Sequence, residues 1–140
     1  MQGYRISTDN NELNLDVVFD FISDSYWAKG IPRERVEKSV KHSLCFGVYD
    51  ERGEQVGFAR LITDRATFAY LSDVFILSEH RGKGLSKWLV EVIISHPDLQ
   101  GLRRIVLATH DAHGLYAQYG FEPLSHTENF MQIWNPDVYA

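Results

Sequence analysis

One stretch restricts the fold of this chain more than any other. The apolar run Phe68-Ala-Tyr-Leu-Ser-Asp-Val-Phe-Ile-Leu77 passes into Ser78-Glu79-His80-Arg81-Gly82-Lys83-Gly84, and Leu85, Trp88, Leu89, Val92 and Ile93 then recur at helical spacing. A strand must here turn through two glycines into a helix. His96-Pro97 ends that helix, and Arg104-Ile-Val-Leu-Ala-Thr109 supplies a second β-rich run. A strand, helix, strand crossover of this length implies a parallel pair.

The flanking sequence adds antiparallel strands. Residues 2 to 6 read as a short first strand, and Leu15, Val18, Phe19 and Ile22 follow as an amphipathic helix that Asn10, Asn11 or Asn14 caps. Ile31-Pro32 opens a second helix carrying Val36 and Val40, which ends near Ser43. Leu44–Tyr49 and Gln55–Thr63, around the turn Asp50-Glu51-Arg52-Gly53-Glu54, read as a hairpin, with Phe68–Leu77 as its third strand. After the crossover, a short helix from about Ala112 to Tyr119 stops at Gly120, and strands are expected near Phe121 and over Phe130–Trp134. The expected fold is α/β with a mixed sheet, in the order β-α-α-β-β-β-α-β-α-β-β, forming a single domain over 1–140.

Composition narrows the function. With 140 residues, 44% hydrophobic and 24% charged, the chain can bury a core. Its 14 basic against 19 acidic residues, net −5, argue against a nucleic-acid partner and modestly favour a cationic acceptor over a polyanion. No apolar run is long enough to span a membrane. A lone Cys45 and an N-terminus without an apolar run predict a cytoplasmic protein; a monomer or homodimer is expected.

The loop Arg81-Gly82-Lys83-Gly84-Leu85-Ser86-Lys87 carries the clearest chemistry. The first N–H groups of a helix lack internal acceptors, and glycine lets backbone approach phosphate oxygens closely, so a diphosphate fits such a turn. A glycine turn with a solvated basic patch is the alternative. The Gly-x-x-x-x-Gly-Lys-[Ser/Thr] motif is absent, and Lys87 stands where a dinucleotide loop needs its third glycine.

Arg81-Gly82-Lys83-Gly84-Leu85-Ser86 resembles the [Arg/Gln]-x-x-Gly-x-[Gly/Ala] signature of the GNAT superfamily of acyl-CoA-dependent N-acetyltransferases, with Ser86 replacing the last small residue. Leu115-Tyr116-Ala-Gln-Tyr-Gly120-Phe121 is similar to that family's later Leu-Tyr-x-x-x-Gly-Phe element. The resemblance implies that acetyl-CoA threads its pantetheine arm between strands 70 to 77 and 104 to 109. The loop residues Arg81, Gly82, Lys83, Gly84, Leu85, Ser86 and Lys87 would then hold the pyrophosphate. Backbone of Ile76 would pair with the pantetheine amides, an N–H near Val74 or Phe75 would face the thioester oxygen, and Asp111 would lie beside the cofactor. His80 flanks the loop.

By the same resemblance, Tyr116 is the general acid for the departing thiolate, and Tyr119, three residues on, is mainly structural. An acceptor ammonium must lose a proton before attack. Asp73 is the nearest carboxylate; strict alternation places it with Leu71, Phe75 and Leu77 on one face. An ion pair to Arg60 or Arg65, or a helix cap, explains it equally well. Some relatives place a glutamate where Ser72 stands, which leaves a water chain or Asp111 as other routes for the proton. His110-Asp111-Ala112-His113 has two histidines three apart around an aspartate, a spacing compatible with a metal site; Asp111 is more simply an N-cap, and no metal is expected. Tyr26 and Trp27 lie where the family builds its acceptor pocket. Direct attack in a ternary complex is expected, not an acetyl-Cys45 intermediate; a non-catalytic acyl-CoA sensor is the alternative.

Overall fold

A computed structural model describes residues 1–140. Five strands lie in chain order: β1 Tyr4–Ser7, β2 Leu44–Asp50, β3 Gln55–Thr63, β4 Phe68–Ile76 and β5 Arg104–Leu107. The first four are antiparallel to their neighbours, and β4 and β5 are parallel, as the crossover requires. Helices α1 (Leu15–Ser23), α2 (Arg33–Lys41), α3 (Leu85–Ile94) and α4 (His113–Ala117) complete the mixed α/β fold.

Two apolar clusters occupy opposite faces of the sheet. Leu44, Phe46 and Val48 of β2 point to the side where α3 buries Leu85, Leu89, Val90 and Ile93. Cys45 points the other way, into a cluster with Val18 and Ile22 of α1, Val36 and Val40 of α2, Phe58 and Phe75. Asn14 caps α1 through its side chain, which accepts from the N–H groups of Asp16 and Val17. The backbone N–H of Asn14 in turn donates to Oε1 of the buried Gln55, fixing α1 to β3.

Strict alternation fails in β4. Phe58 pairs with Phe75, but Arg60 pairs with Ser72, so β4 carries one residue more than β3 across this interval. That is a β-bulge, and Asp73 within it has φ of 55°. The bulge exchanges faces: Leu71 belongs to the α3 cluster and Phe75 to the α1/α2 cluster, although alternation would place them together. The β4–β5 ladder ends at Leu71 and Leu107, and beyond it the two strands part.

Two expectations at the C-terminal end are corrected. No strand forms at Phe121 or over Phe130–Trp134, because apolar, β-prone composition is not enough without a partner strand. Met131 and Ile133 are essentially fully exposed, and Phe130 instead lies over the Arg104 guanidinium at 4.9 Å. Asp111 is not an N-cap: α4 begins after Ala112, whose N–H donates to Oγ1 of Thr109.

Candidate active site

The parting of β4 from β5 opens a cleft of about 350 Å³, lined by Tyr70 to Val74 on one side and Leu107 to Ala112 on the other. Tyr116 reaches it from α4, and Tyr26 and Trp27 reach it from the segment after α1. A second cavity, of about 370 Å³, lies between α2 and the sheet. Trp27, Ser72 and Asp73 line both. The bulge is therefore the wall at which the two spaces meet.

Asp73 is held from two directions. Trp27 Nε1 donates to its Oδ1 at 2.7 Å, and Arg60 Nε donates to its Oδ2 at 2.9 Å. The Asp73 and Arg60 side chains are only 6% and 14% exposed, and Arg60 also donates to Ser43 Oγ at 3.2 Å. Of the two ion-pair partners expected from sequence, Arg60 is the real one, whereas Arg65 pairs with Asp98. A left-handed conformation is uncommon for a residue with a β-carbon; aspartate is among the few that tolerate it. Such strain persists where the surroundings hold it.

At the loop, Gly82 and Gly84 have φ of 79° and 83°, a region that glycine enters without penalty. Gly84 is the N-cap of α3 and supplies no side-chain acceptor, so the first N–H groups of the helix have no cap. No β-carbon narrows the approach to Gly82, around which space is open. The residues present thus fit a pyrophosphate at this helix start. Arg81 turns back on the strand, its Nε donating to the Ile76 carbonyl at 2.8 Å. Lys83 Nζ donates to Tyr4 Oη at 3.1 Å, and that hydroxyl also meets His80 Nδ1 at 2.9 Å, so β1 braces the loop. Leu85 and Phe75 send their side chains into the two cores, leaving only their backbone for a ligand. Ser86 is half-buried and Lys87 exposed on the first turn of α3.

Tyr116 is buried apart from its face on the cleft, with Phe121 edge-on at 5.7 Å. Burial, and secondarily the neighbouring Tyr26, push its phenol above the ordinary tyrosine range, so it is protonated at neutral pH. Tyr119 instead lines a different recess, with Ile94 and Arg103. Tyr26 stacks on His110 at 4.1 Å and meets Trp27 edge-on at 5.0 Å, forming an aromatic wall. His110, Asp111 and His113 do not converge as metal ligands. Cys45 is buried in the α1/α2 cluster, and burial pushes its thiol up to about 12, which keeps it from acting as a nucleophile near neutral pH.

Several lining residues escaped the sequence reading. Arg35 and Lys38 flank the buried Val36 on α2, a position that amphipathic spacing identifies only as the border of the core. Tyr139 reaches the second cavity from the C-terminal segment, and no local pattern marks it.

Comparison with known proteins agrees with this geometry. The acetyltransferase (GNAT) domain profile matches residues 41–123, well over half of the chain. A Gibberella zeae protein named as an acetyltransferase is 34% identical over 137 residues, covering 82% of this chain and 76% of its own. The crystal structure of a protein from Xanthomonas campestris pv. campestris, described as a GNAT-family acetyltransferase, is 51% identical. It superposes with a TM-score of 0.96 over 100% of this chain and 99% of its own. A Staphylococcus aureus structure at 20% identity and a TM-score of 0.73, covering 94% of this chain and 99% of its own, shares the fold. The loop, the parted strands and these relatives lead to one conclusion: the chain belongs to the GNAT acetyltransferase family.

Proposed function

We propose that the chain transfers an acetyl group from acetyl-CoA to a primary amine by direct attack in a ternary complex. The observation that carries this reading is the pair of cavities sharing Trp27, Ser72 and Asp73. Donor and acceptor approach the bulge from opposite sides, as a reaction without a covalent enzyme intermediate requires.

The α3 N-terminus and Lys87 hold the pyrophosphate, and β4 beyond Leu71 offers its open side to the pantetheine amides. Backbone N–H at Val74 or Phe75 faces the thioester oxygen, where charge grows as the amine adds. Asp73 receives the acceptor ammonium and orients it; the ammonium proton leaves through Asp73 or water. The nitrogen forms a bond to the acyl carbon and gives up a second proton to solvent, the carbon–sulfur bond breaks, and Tyr116 gives its phenolic proton to the sulfur. Solvent then restores the Tyr116 proton.

Release of free CoA over a panel of amines tests the activity. Tyr116→Phe should lower kcat by about 10²-fold to 10⁴-fold with little change in acetyl-CoA affinity, and Tyr119→Phe should do little. Equal, near-parental rates for both variants under chemistry-limited conditions would return Tyr116 to a packing role.

A further inference from the structure

The cavity between α2 and the sheet has a charge opposite to that of the chain as a whole. Arg35 and Lys38 of α2 and Arg60 of β3 line it, and Asp73 is its only carboxylate. Asp73 is already paired with Arg60. Arg35 and Lys38 enter no ion pair, whereas their helix neighbour Arg33 is paired with both Asp16 and Glu37. The acidic side chains that accompany α2, Glu34 and Glu37, do not line the cavity. Two cations therefore face a concave space without a counter-charge from the protein.

Most of the rest of the lining is apolar, with Ser39 of α2 as a polar exception. Ile22, Ala28, Ile31 and Val36 supply aliphatic lining, and Trp27 and Tyr139 add aromatic rings. Asp73 and Ser72, by contrast, stand at the boundary with the donor cleft. A ligand filling this space meets a carboxylate at the reacting end, hydrocarbon along its body and cations at α2.

We propose that the acceptor is a small amine that also carries a carboxylate or phosphate, with Arg35 and Lys38 holding the anionic group while Asp73 holds the amine. This rests on the acetyl-transfer reading above and names its substrate class. Arg35 is suited to a planar, bidentate grip on either anion, and Lys38 adds a second charge one helical turn away. The apolar wall favours a hydrocarbon side chain on the ligand.

The test compares matched acceptors with and without the acid: L-leucine against L-leucinamide, and O-phosphoethanolamine against ethanolamine. In the parent protein the acid-bearing member should have the higher kcat/KM by about 10²-fold, expressed mainly in KM, because each charge-assisted contact is worth at least about tenfold. In Arg35→Gln/Lys38→Gln that ratio should fall toward one. Whichever pair shows the larger ratio identifies carboxylate or phosphate as the anion. Calorimetric titration of L-leucine and O-phosphoethanolamine into the CoA-bound protein separates the two readings. Binding that the double substitution abolishes, without any CoA release, upholds the anion site and overturns acetyl transfer. Transfer to leucinamide and ethanolamine as efficient as to their acid partners overturns the anion site and leaves acetyl transfer standing. Neither binding nor transfer of the acid-bearing probes also overturns it.

Discussion

Replacing Asp73 with asparagine isolates the charge at the bulge. Asparagine also tolerates positive φ, and its Oδ1 still accepts from the Trp27 indole, so backbone and hydrogen bond are retained. What is lost is the counter-charge of Arg60, whose side chain is 14% exposed. Stranding one member of a buried pair costs about 3–5 kcal/mol. Ser43 Oγ continues to accept from the guanidinium, which holds the expected loss near the lower end of that range, about 3 kcal/mol, although the amide nitrogen that replaces Oδ2 opposite Arg60 Nε cannot accept. For a chain of this size that is a fall in Tm of about 6–12 °C. Urea and thermal unfolding followed by circular dichroism measure it. Adding Arg60→Met should recover at least half of the loss, because the stranded charge is then gone. A single variant within about 0.5 kcal/mol of the parent, or a double variant showing the plain sum of both losses, would refute the claim that this pair is a coupled, buried unit.

Two further outcomes follow from other parts of the structure. Gly84→Glu forces a β-carbon into φ of 83° and sets a carboxylate at the uncapped start of α3; CoA affinity should fall by more than tenfold on calorimetry with the folded variant, and unchanged affinity removes the pyrophosphate assignment. The Cys45 thiol titrates at about 12 in the fold against 9.0 for the free group, so above pH 9 the unfolded chain holds fewer protons and stability falls as pH rises toward 12, by at most about 1.4 kcal/mol per pH unit from this group; Cys45→Ala should flatten that alkaline decline in urea unfolding between pH 9 and 11, and an unchanged slope would show the thiol does not contribute.

The readable parts of this fold were those written in local sequence. Strand β4, the two-glycine turn and α3 follow from composition and spacing over consecutive residues, and the parallel return of β5 follows from crossover geometry. The bulge left no such trace. Leu71, Asp73 and Phe75 look like a regular alternating face, and only pairing with β3 reveals the extra residue that sends Leu71 and Phe75 to opposite sides. Phe130–Trp134 failed for the converse reason: the β-prone composition is present and the neighbouring strand is not. The start of α4 falls one residue later than expected: Ala112, not Asp111, is its N-cap, no side chain caps the helix, and Thr109 Oγ1 accepts from Ala112 N–H in the turn before it. The Gly84 loop and Tyr116 were legible as motif positions. Arg35, Lys38 and Tyr139 were not, because their meeting depends on packing between segments about a hundred residues apart.

Edges of a sheet ordinarily lie on its perimeter, where unpaired N–H and C=O groups invite a strand from another molecule. Beside the bulge in β4 lies an edge of a different kind, inside the sheet and closed at its base by the last β4–β5 pair, Leu71 and Leu107. A foreign strand cannot run past that closed end, so it has no room to extend a ladder. A slender guest with a few amide groups can enter from the open end and be read by backbone alone. On the function proposed above, this inner edge would give the molecule the recognition power of an exposed strand without the aggregation hazard that an open perimeter carries.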